Sequence, residues 1–484
     1  MNIDRWLLAI VAIVAVAYVA MTPTIFERLD PITGDEPFYV MTVFSLTRDS
    51  DLDESNNYAQ RDYDEIFPSQ PLPDGWRGWT RLAPTISPHL AVTDRDGQYT
   101  KHGLGLPLLI AVPYELSGRT GAVAVILLAA VALAGQIYLL ARRATSSPKV
   151  AAVVALGLAL VMPIVPYTHL LFPEVPAALC LVYAIRRVAS SGNTHVQWLL
   201  AGLSIGMLPW LHQRFAPTAA ILALLIVVRV WRERGALQPV TALIPILIGG
   251  VSLMGFNLWL YGAPVQPPEN HDGFNSLSGT VNGAFGLLLD AQWGLWVVAP
   301  LMLLAVAALP WWITVDRDTV RVAAFALVPY LLLLAFYSAW WGSWGPPARY
   351  LVPVVPFAAG PLAAWLSRAS FWGWAVAVTV WMTGATLTVV GLNDPQRFYH
   401  QPDGRNNIAA AIDTAIGTDI AGWLIAFQTQ GPSPLDERLR AGSLAIVLLV
   451  IAALLIFAVP RLRSRDPANA RQIPDQAMEG RARP

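Results

Sequence analysis

The chain has a single cysteine, Cys180, among 484 residues. It therefore forms no internal disulfide and no multi-thiolate metal centre. Charge is equally scarce. Only 13% of residues are Asp, Glu, Lys or Arg, about half the share of a soluble domain, while 55% are hydrophobic. So few charges cannot cover a water-facing surface. Net charge is zero, with 32 basic and 32 acidic residues, which removes the basic excess a nucleic-acid binder needs. Nineteen Trp exclude intrinsic disorder. No internal repeat is visible, which disfavours transporters built from duplicated halves.

What is present is a series of apolar runs. Crossing about 30 Å of hydrocarbon takes roughly 17–25 residues. The first run, Trp6 to Met21, follows a weakly basic start and ends in Thr-Pro-Thr rather than a small-residue cleavage site, so it reads as a retained helix. Further runs fall at 119–141, 149–163, 171–188, 197–212, 214–231, 239–260, 293–312, 319–337, 349–366, 371–391 and 441–459, twelve in all with the first. The fold class expected is an all-α polytopic membrane protein of about 12 spans, occupying residues 1–460. Leu104 to Leu116 is shorter and holds Pro107 and Pro113, which suits an interfacial piece better than a crossing. With that segment left on one side, the short basic loops all share the other side. They carry Arg142/Arg143/Lys149, Arg186/Arg187, Arg232/Arg234, Arg317/Arg321, Arg368 and Arg461/Arg463/Arg465. The positive-inside rule then puts both termini in the cytoplasm of a plasma-membrane protein. Three loops face outward, 22–118, 261–292 and 392–440, and residues 461–484 form a polar, disordered cytoplasmic tail.

The first outward loop holds the densest chemistry. Asp35-Glu36 stands directly before Pro37, at the head of an apolar stretch containing Phe38, Met41 and Phe44, so an amphipathic juxtamembrane helix on the outer leaflet is expected. Farther on come the acidic run Asp49, Asp51 and Asp53, then Tyr58, then Lys101-His102-Gly103-Leu104-Gly105-Leu106-Pro107-Leu108. The acidic run reads as a solvated face rather than a set of metal ligands. Two features place this region beside the GT-C glycosyltransferases, and it resembles most the family-39-like group of protein O-mannosyltransferases and aminoarabinose transferases. They are the Asp-Glu pair at a juxtamembrane helix head and the Lys-x-x-x-Gly-x-Pro-Leu form of the Lys motif. The resemblance covers residues 1–145, and later helices only in layout.

That resemblance implies transfer of a sugar from a polyprenyl-phosphate donor to an acceptor hydroxyl, with inversion, at the extracytoplasmic face. Such a reaction needs a base for the acceptor proton and cations for the leaving phosphate. Asp35 matches the base, with Glu36 as second candidate. Lys101 falls among the phosphate ligands, together with two arginines at membrane level, where charge is costly and suggests function. One is Arg349, in Trp340-Trp341-Gly342-Ser343-Trp344-Gly345-Pro346-Pro347-Ala348-Arg349, whose fork suits phosphate. The other is Arg214, in His212-Gln213-Arg214. Tyr58, His102, Glu174, Trp341 and Trp344 are candidates for sugar or acceptor contact, and Glu174 also for pairing with Arg214 or Lys101. His271 and His400 lie in polar loops, and Cys180 is a packing residue. No residue is assigned to a metal and no organic cofactor is implied, although a divalent metal is admissible. The partners expected are the lipid-linked donor, a lipid, glycan or protein acceptor, and membrane lipids, but no nucleic acid. Two rival classes share the donor chemistry: a transporter or flippase of lipid-linked glycans, and a polysaccharide polymerase or ligase. A transporter should hold ionisable residues deep within spans, whereas here the charges gather at span ends.

Overall fold

The computed structural model describes residues 4–67, 86–232, 238–267, 274–400, 403–427 and 450. Eighteen α-helices run through these residues. In chain order they are α1 (Arg5–Arg28), α2 (Glu36–Phe44), α3 (Ser55–Gln60), α4 (Gly105–Ala144), α5 (Pro148–Ala159), α6 (Ile164–Tyr167), α7 (Glu174–Val188), α8 (His195–Leu211) and α9 (Ala216–Arg232). They continue with α10 (Val240–Tyr261), α11 (Leu277–Leu289), α12 (Leu295–Val298), α13 (Leu301–Ala307), α14 (Leu309–Val315), α15 (Arg317–Phe336), α16 (Ala359–Leu366), α17 (Phe371–Asn393) and α18 (Asn407–Ile416). Their starts are written in the sequence. Ser147 and Ser370 cap α5 and α17, Asp316 caps α15, and Thr194 with Gln197 forms a capping box on α8.

Six of the helical segments, among the described residues, are long and apolar enough to cross a membrane: Arg5–Arg28, Gly105–Ala144, Gln213–Arg232, Val240–Tyr261, Arg317–Phe336 and Phe371–Asn393. The protein is thus all-helical and polytopic. The other expected spans are shorter or broken. Pro300 and Pro310 divide 293–312 into α12, α13 and α14, because proline lacks the amide proton that a continuing helix requires. The stretch 349–366 enters through short 3₁₀ turns before α16. The span expected at 441–459 and the tail 461–484 lie outside the described residues, Val450 apart.

Gly105 to Leu116 is the first arm of α4, which kinks at Ser117 and Gly118 before its second arm begins. One local expectation changes. The helix headed by Asp35 exists, but it has no exposed apolar face. All nine residues of α2 are buried. Its small hydrophobic body is enclosed by the first arm of α4 and by the segment carrying His89 and His102, so the sequence pattern of one apolar face understated its burial. Helices α8 and α10 approach closely through Gly202, Gly206 and Gly249; a Cβ on Gly202 would sit 2.2 Å from the Ala242 carbonyl oxygen. Such small-residue contacts replace hydrophobic drive inside a membrane.

Candidate active site

Asp35 occupies the turn before α2 but makes no cap bond to that helix. Its carboxylate instead meets the 342–349 loop. Gly34, at φ +68°, lets this happen, since a Cβ there would strike the Trp344 carbonyl oxygen at 2.4 Å. Arg349 donates from Nη2 to Asp35 Oδ2 at 2.5 Å and from Nε to Glu174 Oε1 at 2.9 Å. Its Nη1 donates to the Gly342 carbonyl at 3.2 Å, and its guanidinium lies 4.4 Å over the Phe172 ring. Glu174 Oε1 also accepts from Arg214 Nη2 at 2.8 Å, and Arg214 rests 4.4 Å over the Tyr350 ring. The result is a chain of alternating charge: Asp35, Arg349, Glu174, Arg214. Glu174 and Arg349 side chains are 0% and 5% exposed, whereas Asp35 retains 18%, so Asp35 is the end open to an incoming group. Buried charges of this kind persist only when paired and hydrogen-bonded.

The electrostatics follow from that chain. Burial pushes the Asp35 carboxyl up, but the charge and hydrogen bond of Arg349 outweigh it and hold the group well below the usual carboxylate range. Glu36 has the opposite fate. Burial raises it to about 7 against the pull of Arg119, and its two oxygens accept the Leu171 amide at 2.9 Å and the Thr33 amide at 3.4 Å. Glu36 therefore ties α2 to the turn before α7 and is fully buried, although the sequence made it the second candidate for a base.

The second edge of the site comes from the segment 86–104. Ala91 donates to Tyr99 and Lys101 to His89 through backbone bonds, which fold the segment back on itself. This places His89 and His102 side by side, with His89 Nδ1 and His102 Nε2 3.1 Å apart. His89 stacks on Phe38 of α2, ring centroids 3.6 Å apart. One ligand atom each from Asp35, His89 and His102 lies within 4.8 Å of the others, the sole group among the described residues with the spacing of a metal site. Burial lowers His102 to about 3, which keeps its imidazole neutral, the form that ligates metals. A carboxylate with two imidazoles suits a zinc-like ion. The nearby Arg349 cation opposes one. His89 escaped the sequence reading because its thirteen-residue separation from His102 carries no helical or motif spacing; the Asp94-Arg95-Asp96-Gly97 turn between them was the available signal.

The remaining candidates are placed as follows. The backbone of Lys101 is fixed by Gln266, whose side chain donates to the Lys101 carbonyl at 2.9 Å. Lys101 and His102 border a small cleft with His212, Gln213, Asn257 and Gln266. Trp341 packs against Trp293 with the rings tilted by 54° and 4.8 Å between centroids, and the Trp293 carbonyl accepts the Ala348 amide at 3.0 Å, so this pair supports the Arg349 loop. Trp344 meets the Asp35 turn through its backbone. Tyr58 stands on α3 beside Tyr63, 6.3 Å between rings, with its hydroxyl buried. The acidic run is structural: Asp53 accepts the Gln98 amide at 2.8 Å, Asp51 the Ser45 hydroxyl at 2.9 Å and Asp49 the Asn57 amide at 2.7 Å. His271 lies outside the described residues.

Fold and site together define a helical polytopic membrane protein whose buried ion-pair chain opens at one carboxylate. No family model matches the chain, and no curated protein matches it. Among solved structures it is similar to ArnT from Cupriavidus metallidurans bound to undecaprenyl phosphate, at 16% identity and a TM-score of 0.45, over 92% of this chain and 71% of that one. It is also similar to the Archaeoglobus fulgidus oligosaccharyltransferase in its apo form, at 13% identity and a TM-score of 0.40, over 89% and 60% of the two chains.

Proposed function

We propose that this protein transfers a sugar from a polyprenyl-phosphate-linked donor to an acceptor hydroxyl at the extracytoplasmic face of the plasma membrane. The observation that carries the reading is Arg349 bridging Asp35 and Glu174, beside the Lys101 motif. Asp35 accepts the acceptor proton as the acceptor oxygen bonds to the anomeric carbon. The bond from that carbon to the phosphate oxygen breaks on the opposite face, so the configuration inverts and lipid phosphate leaves with the electron pair. Arg349 and Lys101 meet the growing negative charge on that phosphate. Arg214 and Glu174 hold Arg349 in place.

The resting pair explains how a weak base becomes a working one. Bound to Arg349, Asp35 is held too acidic to take a proton near neutrality. A donor phosphate competes for the same guanidinium, and each hydrogen bond it draws away raises the basicity of Asp35. The base is thereby switched on by its substrate. The accessible faces of Trp341 and Trp344 supply stacking surface for a sugar ring.

The test is a radiolabelled polyprenyl-phosphate-sugar assay in proteoliposomes, scoring transfer to acceptor separately from movement of donor across the bilayer. Transfer without net flipping is expected. Flipping without transfer would give the chain to the transporter class instead.

A further inference from the structure

Away from Asp35, the arms of the bundle end in a second polar cavity. The second arm of α4 runs from Arg119, near Glu36, to Arg142 and Arg143, about 35 Å along the helix at 1.5 Å per residue. There Arg142, Arg143, Thr145, Ser146, Val315, Ser367 and Arg368 line a cavity of about 510 Å³. Arg143 is committed: it binds Asp316 at 2.7 and 3.1 Å and also reaches Thr319 and Ser190. Arg142 and Arg368 are different. Their hydrogen bonds go to backbone carbonyls, of Thr145, Ser146 and Ala364, and neither pairs with a carboxylate among the described residues. Asp4, the N-cap of α1, accepts the Tyr138 hydroxyl and lies near enough to Arg142 to feel its charge without forming a salt bridge. Counting Asp4 and Asp316, two carboxylates face three arginines, so the cavity keeps one cation in excess, and neither Arg142 nor Arg368 is held in a salt bridge among the described residues.

Its rim is apolar on two sides. At the start of α17, Phe371 and Trp372 are 77% and 75% exposed with rings 5.5 Å apart, and Val376 follows on the same helix. On the other side stand Ile313 and Val315 of α14, both partly exposed. Exposed Trp at the end of a membrane-crossing helix marks the head-group level. Cationic floor, hydroxyl walls and apolar flanks match a phospholipid: phosphate against the arginines, acyl chains along α14 and α17.

We infer that this cavity, between the ends of α4, α14 and α16, is a binding site for the head group of an anionic phospholipid. The inference is independent of the chemistry assigned to Asp35, and none of its residues touches that site. Native mass spectrometry of the full chain in detergent, with phosphatidylglycerol or phosphatidylcholine added, tests it. Phosphatidylglycerol should be retained and phosphatidylcholine stripped. Arg142→Gln with Arg368→Gln should weaken phosphatidylglycerol retention about thirtyfold, counting two cations. Arg368→Gln alone gives up one part-buried hydrogen bond, to the Ala364 carbonyl, from an exposed side chain, so it should fold and weaken retention about fivefold. Lys149→Gln removes an equal charge outside the cavity and should change nothing. Equal retention of phosphatidylcholine, or wild-type retention by both Arg variants, would overturn the inference. So would millimolar inorganic phosphate displacing the lipid completely while lending the protein the same stability, since the site would then hold free phosphate.

Discussion

Replacing Glu174 with Gln probes the ion-pair chain at its centre. The side chain is fully buried, and one oxygen accepts from both Arg349 and Arg214 at 2.9 and 2.8 Å. Gln keeps an oxygen of the same reach but removes the negative charge, leaving two buried guanidiniums facing Asp35 alone. Breaking a buried pair by removing one partner costs about 3–5 kcal/mol. The retained acceptor puts Glu174→Gln near the lower figure, about 3 kcal/mol, and Glu174→Ala near the upper. Reversible unfolding in mixed micelles measures this. A double variant with Arg214→Gln should recover at least about 1 kcal/mol of the loss, because the second change removes the charge the first stranded. A functional mark accompanies the structural one. Arg349, released from Glu174, turns further onto Asp35, so turnover and donor affinity should both fall. Stability within about 0.5 kcal/mol of wild type, together with unchanged turnover, would show that Glu174 does not hold Arg349.

Further outcomes are expected elsewhere in the molecule. Arg349→Ala should weaken donor binding more than acceptor binding in steady-state kinetics, by about 2 kcal/mol for a charge-assisted contact; the reverse split would remove Arg349 from the phosphate. Glu54 is buried, accepts the Thr42 hydroxyl at 2.7 Å, and is raised by burial to about 8. The folded state therefore keeps a proton that the unfolded chain loses above about pH 4.3, and stability falls between there and pH 8 by at most about 1.4 kcal/mol per pH unit. Glu54→Gln should flatten that part of a thermal-stability profile from pH 5 to 9, and an unchanged slope would reject the assignment. A Cβ at Gly103 would meet the Leu211 and Trp210 carbonyl oxygens at 2.6 and 2.7 Å. Gly103→Ala should cost about 1–3 kcal/mol and lower activity by displacing Lys101 and His102; wild-type thermal stability would contradict that packing.

The parts of the site legible in sequence were those marked by local cost. Charged residues among tryptophans and prolines, such as Arg349, stand out because burial of charge is expensive, and Asp35-Glu36-Pro37 stands out because proline marks a helix start. The pairing was not legible. Arg349 lies 314 positions from Asp35 and 175 from Glu174, and only the tertiary packing of α2, α7 and the 342–349 loop joins them. Nor did the pattern separate adjacent carboxylates: Asp35 and Glu36 differ by which side of the α2 head each faces, one toward a guanidinium and one toward backbone amides. The span count was least legible where proline and glycine divide apolar runs, since hydropathy alone sees one segment where α12, α13 and α14 are three.

The base role proposed for Asp35 is tested most directly by sugar transfer by Asp35→Asn in membranes with matched expression. Asn preserves shape and can still accept from Arg349, but it cannot take the acceptor proton. Transfer from the radiolabelled polyprenyl-phosphate donor should fall by about a hundredfold to ten-thousandfold, with donor binding retained. Turnover within about tenfold of wild type, with the same donor and acceptor, would contradict that role.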